Sequence, residues 1–170
     1  MSKKYEMTND FIYNGTRKLY RIKALKDFND VKAGDIGGYI EKESNLSHED
    51  IAWVYGDAKV YGNARVGGDA MVYGNATVYG DAKVYDNAIV CGDGDIKYSS
   101  DYTTIKGFGS VCRSTTFFRC KDNLVKVTCG CFYGTIDEFR NKVKETHGDS
   151  KYAKEYLMIA DLMELHFAED

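Results

Sequence analysis

Proline does not occur anywhere among the 170 residues. Polyproline spacers are therefore excluded, and the parts of the chain are expected to pack against one another. Histidine is scarce at three residues and tryptophan occurs once. No apolar run approaches the ~20 residues that span a bilayer. The first ten residues, MSKKYEMTND, hold no apolar signal core, and the five cysteines form neither an even set nor a CxxC pair. A reduced, cytoplasmic protein without membrane contact is the expectation. Excess charge of either sign is also missing. Residues 1–53 carry nine basic and nine acidic side chains and residues 96–170 carry eleven of each. Residues 54–95 carry three basic against six acidic, so the net charge of −3 comes from that stretch alone. Nucleic-acid binders present a cationic stripe that displaces phosphate counterions, and none is visible, so no nucleic-acid partner is expected.

What the chain has in abundance is a six-residue phrase. An aliphatic residue recurs at Val54, Val60, Val66, Val72, Val78, Val84, Val90 and Ile96. Alanine follows four places later at Ala58, Ala64, Ala70, Ala76, Ala82 and Ala88, with Gly94 closing the series. Between them stands a corner pair, glycine then Asp or Asn, broken only by Asp86 in a glycine slot. A period of six does not match a helix, and each mid-helix glycine would cost roughly 1 kcal/mol. A flat sheet fails as well, because a Gly-Asx turn signal returns every sixth residue. Short strands bent at each corner fit: three edges make a coil of 18 residues, and coils stack about 4.8 Å apart through ladder hydrogen bonds. Valine then points inward along each edge and alanine points inward beside each corner. The count extends back to Ile40 and Leu46, with Ser44 in the alanine slot, two extra residues near His48–Trp53, and Ala52 in the next small slot.

These hexads resemble those of the hexapeptide-repeat left-handed β-helix superfamily. The segment DFNDVKAGDIGGYIEKESNLS, Asp27 to Ser47, resembles the lead-in of YdcK-like and prophage-encoded hexapeptide-repeat proteins. The resemblance implies a left-handed coil, a homotrimer by analogy, and a mobile genetic element as context. The expected fold is mainly β: a short left-handed parallel β-helix of about three coils, with an N-terminal β-hairpin cap and a small C-terminal α+β element. The expected division is 1–39 for the N-terminal cap, 40–98 for the repeats, and 99–170 for the C-terminal strands and helices.

In the cap, Asn14-Gly15 between strand-like runs is a type I′ hairpin cue, and the hairpin is expected to lie across the first coil. After the repeats, YTTIKGF, TTFFRC and LVKVTCGCF read as strands, with Lys121–Asn123 as a loop and with Arg119 and Lys126 on an open face. Thr135 reads as an N-cap followed by Asp137 and Glu138, and Gly148 as a stop. A second helix begins at Asp149 or Ser150, with its stripe on Tyr152, Tyr156, Ile159, Met163 and Phe167.

Spacing by 18 predicts which side chains share an outer face. One face is read as Tyr55, Tyr73 and Cys91, a second as Tyr61, Tyr79 and Lys97, with Lys59 and Thr77, or Arg65 and Lys83, in the remaining outward slots. The third is read as Gly67, Met71, Tyr85 and Ile89, apolar enough to meet a second subunit or the C-terminal helices. Tyr55, Tyr73, Tyr61, Tyr79, Arg65 and Lys83 are the candidate binding residues; the tyrosines favour strands in any case and could also stack a planar ligand.

Related acyltransferases place a histidine base beside a coil. Here none of His48, His147 and His166 falls within Val54–Ile96, leaving His48 as the residual catalytic candidate. Cys112, Cys120, Cys129 and Cys131 are spaced too widely for paired zinc knuckles and remain weak metal candidates. No cofactor is expected. The reading is a non-catalytic phage or prophage protein that binds or assembles, located in the host cytoplasm, meeting a host protein and inhibiting a bacterial defence system. Its rivals are a sponge for a small nucleotide-like ligand at subunit clefts and an acyltransferase using acetyl-CoA.

Overall fold

The structure, a computed structural model, describes residues 3–168. After each Gly-Asx corner the chain runs extended for two residues. The edges so formed are β4 (Trp53–Val54), β5 (Lys59–Val60), β6 (Arg65–Val66), β7 (Met71–Val72), β8 (Thr77–Val78), β9 (Lys83–Val84), β10 (Ile89–Val90) and β11 (Asp95–Ile96). With β3 (Ile36–Ile40) they pair in parallel as β3-β5-β8-β11, β4-β7-β10 and β6-β9, a β-solenoid of about three turns. Each coil donates to the next: the Lys59 N–H reaches the Ala76 carbonyl at 2.9 Å and the Tyr61 N–H reaches Val78 at 3.0 Å. Every hexad valine and alanine is buried. Each valine removed from water contributes roughly 1.5–3 kcal/mol before conformational entropy is charged against it.

The lowest coil is the irregular one. Ile40 pairs with Val60 and Leu46 with Val66, both twenty residues on, whereas Val54 pairs with Val72, eighteen on. The two extra residues therefore lie between Leu46 and Trp53. Ser44 does not fill the alanine slot. A 3-10 turn at Glu43–Asn45 replaces that corner and leaves Ser44 exposed. Asn45 takes the inward place, fully buried. Its amide donates to the Gly62 and Ala64 carbonyls at 3.2 and 2.8 Å and its oxygen accepts the Lys42 N–H at 2.9 Å, so the polar side chain is satisfied.

Open coil ends would expose unpaired backbone groups to runaway strand addition. At the lower end, β1 (Tyr5–Asn14) and β2 (Arg17–Ala24) form a hairpin, and β2 pairs antiparallel with β3. The hairpin thus prolongs one solenoid face instead of lying across the coil. Its loop is Gly15-Thr16, with Asn14 already paired to Arg17. Only Gly15 has a positive φ, +61°, as a type II′ turn requires, which corrects the Asn14-Gly15 reading. The other two edges are closed by the side chains of Lys4, just before β1, and Tyr5, its first residue. Lys4, 1% exposed, donates from Nζ to the Asp50 and Ala52 carbonyls at 2.8 and 2.7 Å. The Tyr5 hydroxyl lies 2.9 Å from the carbonyls of both Glu43 and Leu46.

The upper end is closed by an antiparallel sheet, β12 (Tyr102–Phe108), β13 (Arg113–Arg119), β14 (Val125–Cys129) and β15 (Phe132–Thr135). Its hydroxyls stand in for a further coil. The Tyr102 hydroxyl accepts the Tyr85 N–H at 3.2 Å and donates to the Lys83 carbonyl at 3.0 Å. Thr116 Oγ1 accepts the Ile89 N–H and Thr128 Oγ1 donates to the Ile89 carbonyl, both at 3.1 Å. Phe118 plugs the solenoid interior, while its neighbour Phe117 points the other way, into a second core with α1 (Ile136–His147) and α2 (Lys151–His166). Strand alternation makes β13 the wall between the two cores. The sheet therefore has no open face. Because Phe118 pairs with Lys126 and Arg119 with Val125, Lys126 lies on the solenoid side and Arg119 on the helix side. Arg119 is engaged there, donating to the Phe167 carbonyl at 2.9 Å.

Thr135 caps α1 in a reciprocal box with Glu138, and Gly148 ends it at φ +55°. Ser150, not Asp149, caps α2, accepting the Ala153 N–H at 3.3 Å. Each such cap is worth about 1 kcal/mol. Tyr152 turns outward, and Ala153 and Ala160 join Tyr156, Ile159, Met163 and Phe167 in the buried stripe. No helix among the described residues is long and apolar enough to cross a membrane.

Candidate binding surfaces

The corner cuts each hexad between its tyrosine and its alanine, which decides the faces. The residue just before a valine lies past the corner and joins the tyrosine that follows that valine. The β4-β7-β10 face therefore carries Trp53, Met71 and Ile89 together with Tyr55, Tyr73 and Cys91. The β3-β5-β8-β11 face carries Tyr39, Lys59, Thr77 and Asp95 with Glu41, Tyr61, Tyr79 and Lys97. The β6-β9 face carries Arg65 and Lys83 with Gly67 and Tyr85. The expected Gly67/Met71/Tyr85/Ile89 face is thus split across a corner. Gly67 is buried beneath the chain's own Tyr85, whose ring occupies the space a Cβ would need. An apolar outer pair does exist, Met71 and Ile89, both half-buried; Trp53 beneath them is 1% exposed, covered by the chain's own Tyr5 and Phe28.

Tyr61 and Tyr79 form a ladder, their ring centroids 5.3 Å apart and 19° from parallel. Arg17, from β2 on the lower side, sets its guanidinium 5.6 Å from the Tyr61 ring and pairs with Glu41 at 2.8 Å. Burial alone would raise the Glu41 carboxyl, but the Gly62 N–H at 2.6 Å and the Arg17 cation outweigh it and hold it below the ordinary range. The Tyr79 hydroxyl donates to Asp95 at 3.1 Å, and burial followed by that carboxylate pushes its pKa up to about 12. Beside the ladder is a cleft of about 380 Å³, bordered by Arg17, Glu41, Lys42, Asn63 and Asp81. It presents both signs of charge around two stacked rings. Tyr55 is spent differently, donating to Asp30 at 2.8 Å, and Tyr73 stays 39% exposed below the buried Cys91. Arg65 and Lys83 are exposed one above the other and away from the Tyr61–Tyr79 ladder.

His48 lies under the first coil. Its Nδ1 accepts the Lys4 N–H at 3.2 Å, its ring stacks on Tyr5 at 4.1 Å, and its Nε2 is enclosed without a partner. Burial lowers its pKa, with Glu43 opposing. The arrangement gives a seat for the hairpin and leaves no ring nitrogen facing an open surface. His147 and His166 belong to the C-terminal helices.

The four cysteines considered for zinc do not converge. Cys120 is buried with the solenoid core, Cys129 borders the helix-side core, and Cys112 and Cys131 are exposed. Among the described residues no three His, Cys, Asp or Glu side chains gather in metal-binding geometry. Cys129 and Cys131 do open on a recess in the C-terminal unit that spacing alone did not reveal. Sequence reasoning also missed Lys4, Tyr5, Tyr102, Thr116 and Thr128. Their signal was polar residues at inward strand positions next to the repeat ends.

The fold and its outer columns define a parallel β-solenoid of the hexapeptide-repeat kind. No family model matches the chain. Over 79 residues it is 38% identical to the protein named uncharacterized acetyltransferase YdcK of Escherichia coli (strain K12), a match covering 38% of this chain and 24% of that protein. The likeness thus spans about a quarter of the relative's length.

Proposed function

We propose that the chain is a non-catalytic assembly and binding protein. Copies associate as a trimer through the β4-β7-β10 face, and the β3-β5-β8-β11 face meets a partner protein. The observation that carries this reading is the half-buried apolar pair Met71 and Ile89, stacked one above the other on the face that also carries Tyr73, 39% exposed, where the other two faces carry Lys59 and Asp95 or Arg65 and Lys83. Apolar side chains grouped on one face favour association there. The mixed charge around the Tyr61–Tyr79 cleft supports a protein partner over a nucleic acid, and the resemblance to prophage proteins suggests a host protein, with a defence component as the specific case. The nucleotide-sponge reading gains little, because the two rings already spend their facing surfaces on each other. Solution mass should be three times that of the chain, and Met71→Glu with Ile89→Glu should reduce it to one chain while the far-ultraviolet circular dichroism stays unchanged. A single-chain mass for the unmodified protein at micromolar concentration would end the proposal.

One finding favours a second reading, acetyl transfer: the similarity to a protein named as an acetyltransferase. Against it, the one histidine near a coil has its Nε2 enclosed. Calorimetry with acetyl-CoA separates the two. Saturable binding that His48→Ala weakens would support transfer; no heat supports the assembly reading.

A further inference from the structure

We propose that the recess in the C-terminal unit is a binding site for a small apolar anion, a carboxylate carried on an aromatic or short acyl body. The recess encloses about 300 Å³ between the β14–β15 turn and the two helices, at the lower end of the roughly 300–1,000 Å³ typical of ligand pockets. Phe132, Phe139, Val143 and Tyr156 wall it with apolar surface. The charged groups lining it are Arg113 and Lys142, joined by His147, and no aspartate or glutamate lines it. That is a local reversal in a chain of net charge −3.

Arg113 is the group that specifies the anion. Its guanidinium lies across the β14–β15 turn at Gly130, whose φ is +61° and where any Cβ would collide with it. Glycine there both makes the turn and leaves the guanidinium room. Among the described residues no carboxylate lies within ion-pair distance of Arg113, whereas Lys142 has Glu145 at 2.9 Å. That second pair is exposed on the helix surface and holds Lys142 only weakly. An unmatched planar cation at the rim of an apolar recess is satisfied by a carboxylate, which the guanidinium fork takes in a bidentate manner. The apolar walls need a body attached to it, which sets free phosphate apart from the occupant inferred here.

The test uses the full chain and three probes: 4-phenylbutyrate, its neutral counterpart 4-phenylbutanol, and inorganic phosphate. Calorimetry gives affinity, and mass-spectrometric mapping of iodoacetamide labelling reports on Cys131, which is exposed at the recess. The butyrate should bind, slow labelling of Cys131, and bind at least about tenfold tighter than the alcohol, with phosphate alone giving no protection. Arg113→Gln, at an exposed position, should weaken the butyrate roughly ten- to hundredfold, the range of a lost charge-assisted hydrogen bond, with the far-ultraviolet circular dichroism unchanged. Thr146→Trp, also exposed and lining the recess, should block it. Equal binding of acid and alcohol, an unchanged affinity in Arg113→Gln, protection by phosphate alone, or no binding at millimolar butyrate would each overturn the inference.

Discussion

At the lower end of the solenoid an ammonium group, Lys4 Nζ, satisfies the Asp50 and Ala52 carbonyls that a preceding coil would have bonded, with the Tyr5 hydroxyl serving those of Glu43 and Leu46. At the upper end the same task falls to neutral hydroxyls, those of Tyr102, Thr116 and Thr128. Both solutions stop the stack from growing, but they differ in what they demand. A buried ammonium must be stripped of water, whereas a hydroxyl carries no charge to desolvate and can both donate and accept. The lower end should therefore be the pH-sensitive end, and the upper end the one governed by packing.

The largest effect expected is at the upper end. Phe118 is fully buried and fills the last coil's interior. Phe118→Ala should lower unfolding free energy by about 3–5 kcal/mol, read from urea denaturation, and should expose the β10 and β11 edges to self-association. Next comes Lys4→Ala, which leaves the Asp50 and Ala52 carbonyls unpaired and should cost roughly 2–4 kcal/mol. Thr116→Val, its upper-end counterpart, strands one N–H and should cost about 1–2 kcal/mol. If Thr116→Val proved as damaging as Lys4→Ala, the contrast between charged and neutral closure would be lost.

The pH profile sharpens the comparison. Burial lowers the Lys4 pKa to about 8 from its ordinary 10.5, with Asp50 opposing and Lys26 adding to the fall. Between those values the unfolded chain binds more protons than the folded one, so this group's contribution rises with pH across the window. The gain amounts to roughly 2 kcal/mol by pH 10. Burial also raises the Cys91 and Cys120 thiols above 9.0 and the Tyr5 and Tyr102 phenols above 10.0, so their contributions fall once the unfolded chain ionises. Subtracting the profile of Lys4→Met removes these shared terms. The difference between the two proteins should climb between pH 7.5 and 10; a flat difference would show Lys4 to be no buried cation. On the acid side His48 is held below 6.5, so the stability it lends is lost as pH falls through that region. Hydrogen-exchange protection should then drop around Lys4 and Leu46 at pH 5.5 and hold around Ile89.

The repeat was legible because its rule is local and stated many times over: valine inward, glycine at the corner, alanine beside it. Six letters suffice to fix the coil, and the spacing of eight between Leu46 and Val54 correctly located the irregular hexad. The faces were misread because the phrase was cut at its valine, while the chain bends between tyrosine and alanine. Nothing in the composition marks that cut; the backbone geometry of the corner does. Ser44 was chosen for the small slot by counting, but a 3-10 turn slipped the count by one and a satisfied asparagine took the place. The candidate surfaces were less legible still. Arg17 reaches the Tyr61–Tyr79 ladder, and Arg113 the recess, only through sheet pairings that a linear reading does not contain.

The smallest expected effect tests the corner rule itself. Gly68 and Asp86 stand in one column, both at positive φ, +63° and +59°. A Cβ at Gly68 would come 2.8 Å from the Asp86 backbone nitrogen in the coil above. Above Asp86 there is no coil, because Thr104, eighteen residues on, has already left for β12. An aspartate tolerates the left-handed region better than most residues, so the top of the column accepts what the middle cannot. Gly68→Asp should cost about 2 kcal/mol or more, combining backbone strain with that collision. Asp86→Gly relieves the strain but gives the unfolded chain more freedom, two effects of about 0.5–1 kcal/mol that nearly cancel. Its urea midpoint should hardly move. Equal shifts for the two substitutions would mean that stacking between coils does not select the corner residue, and that φ alone does.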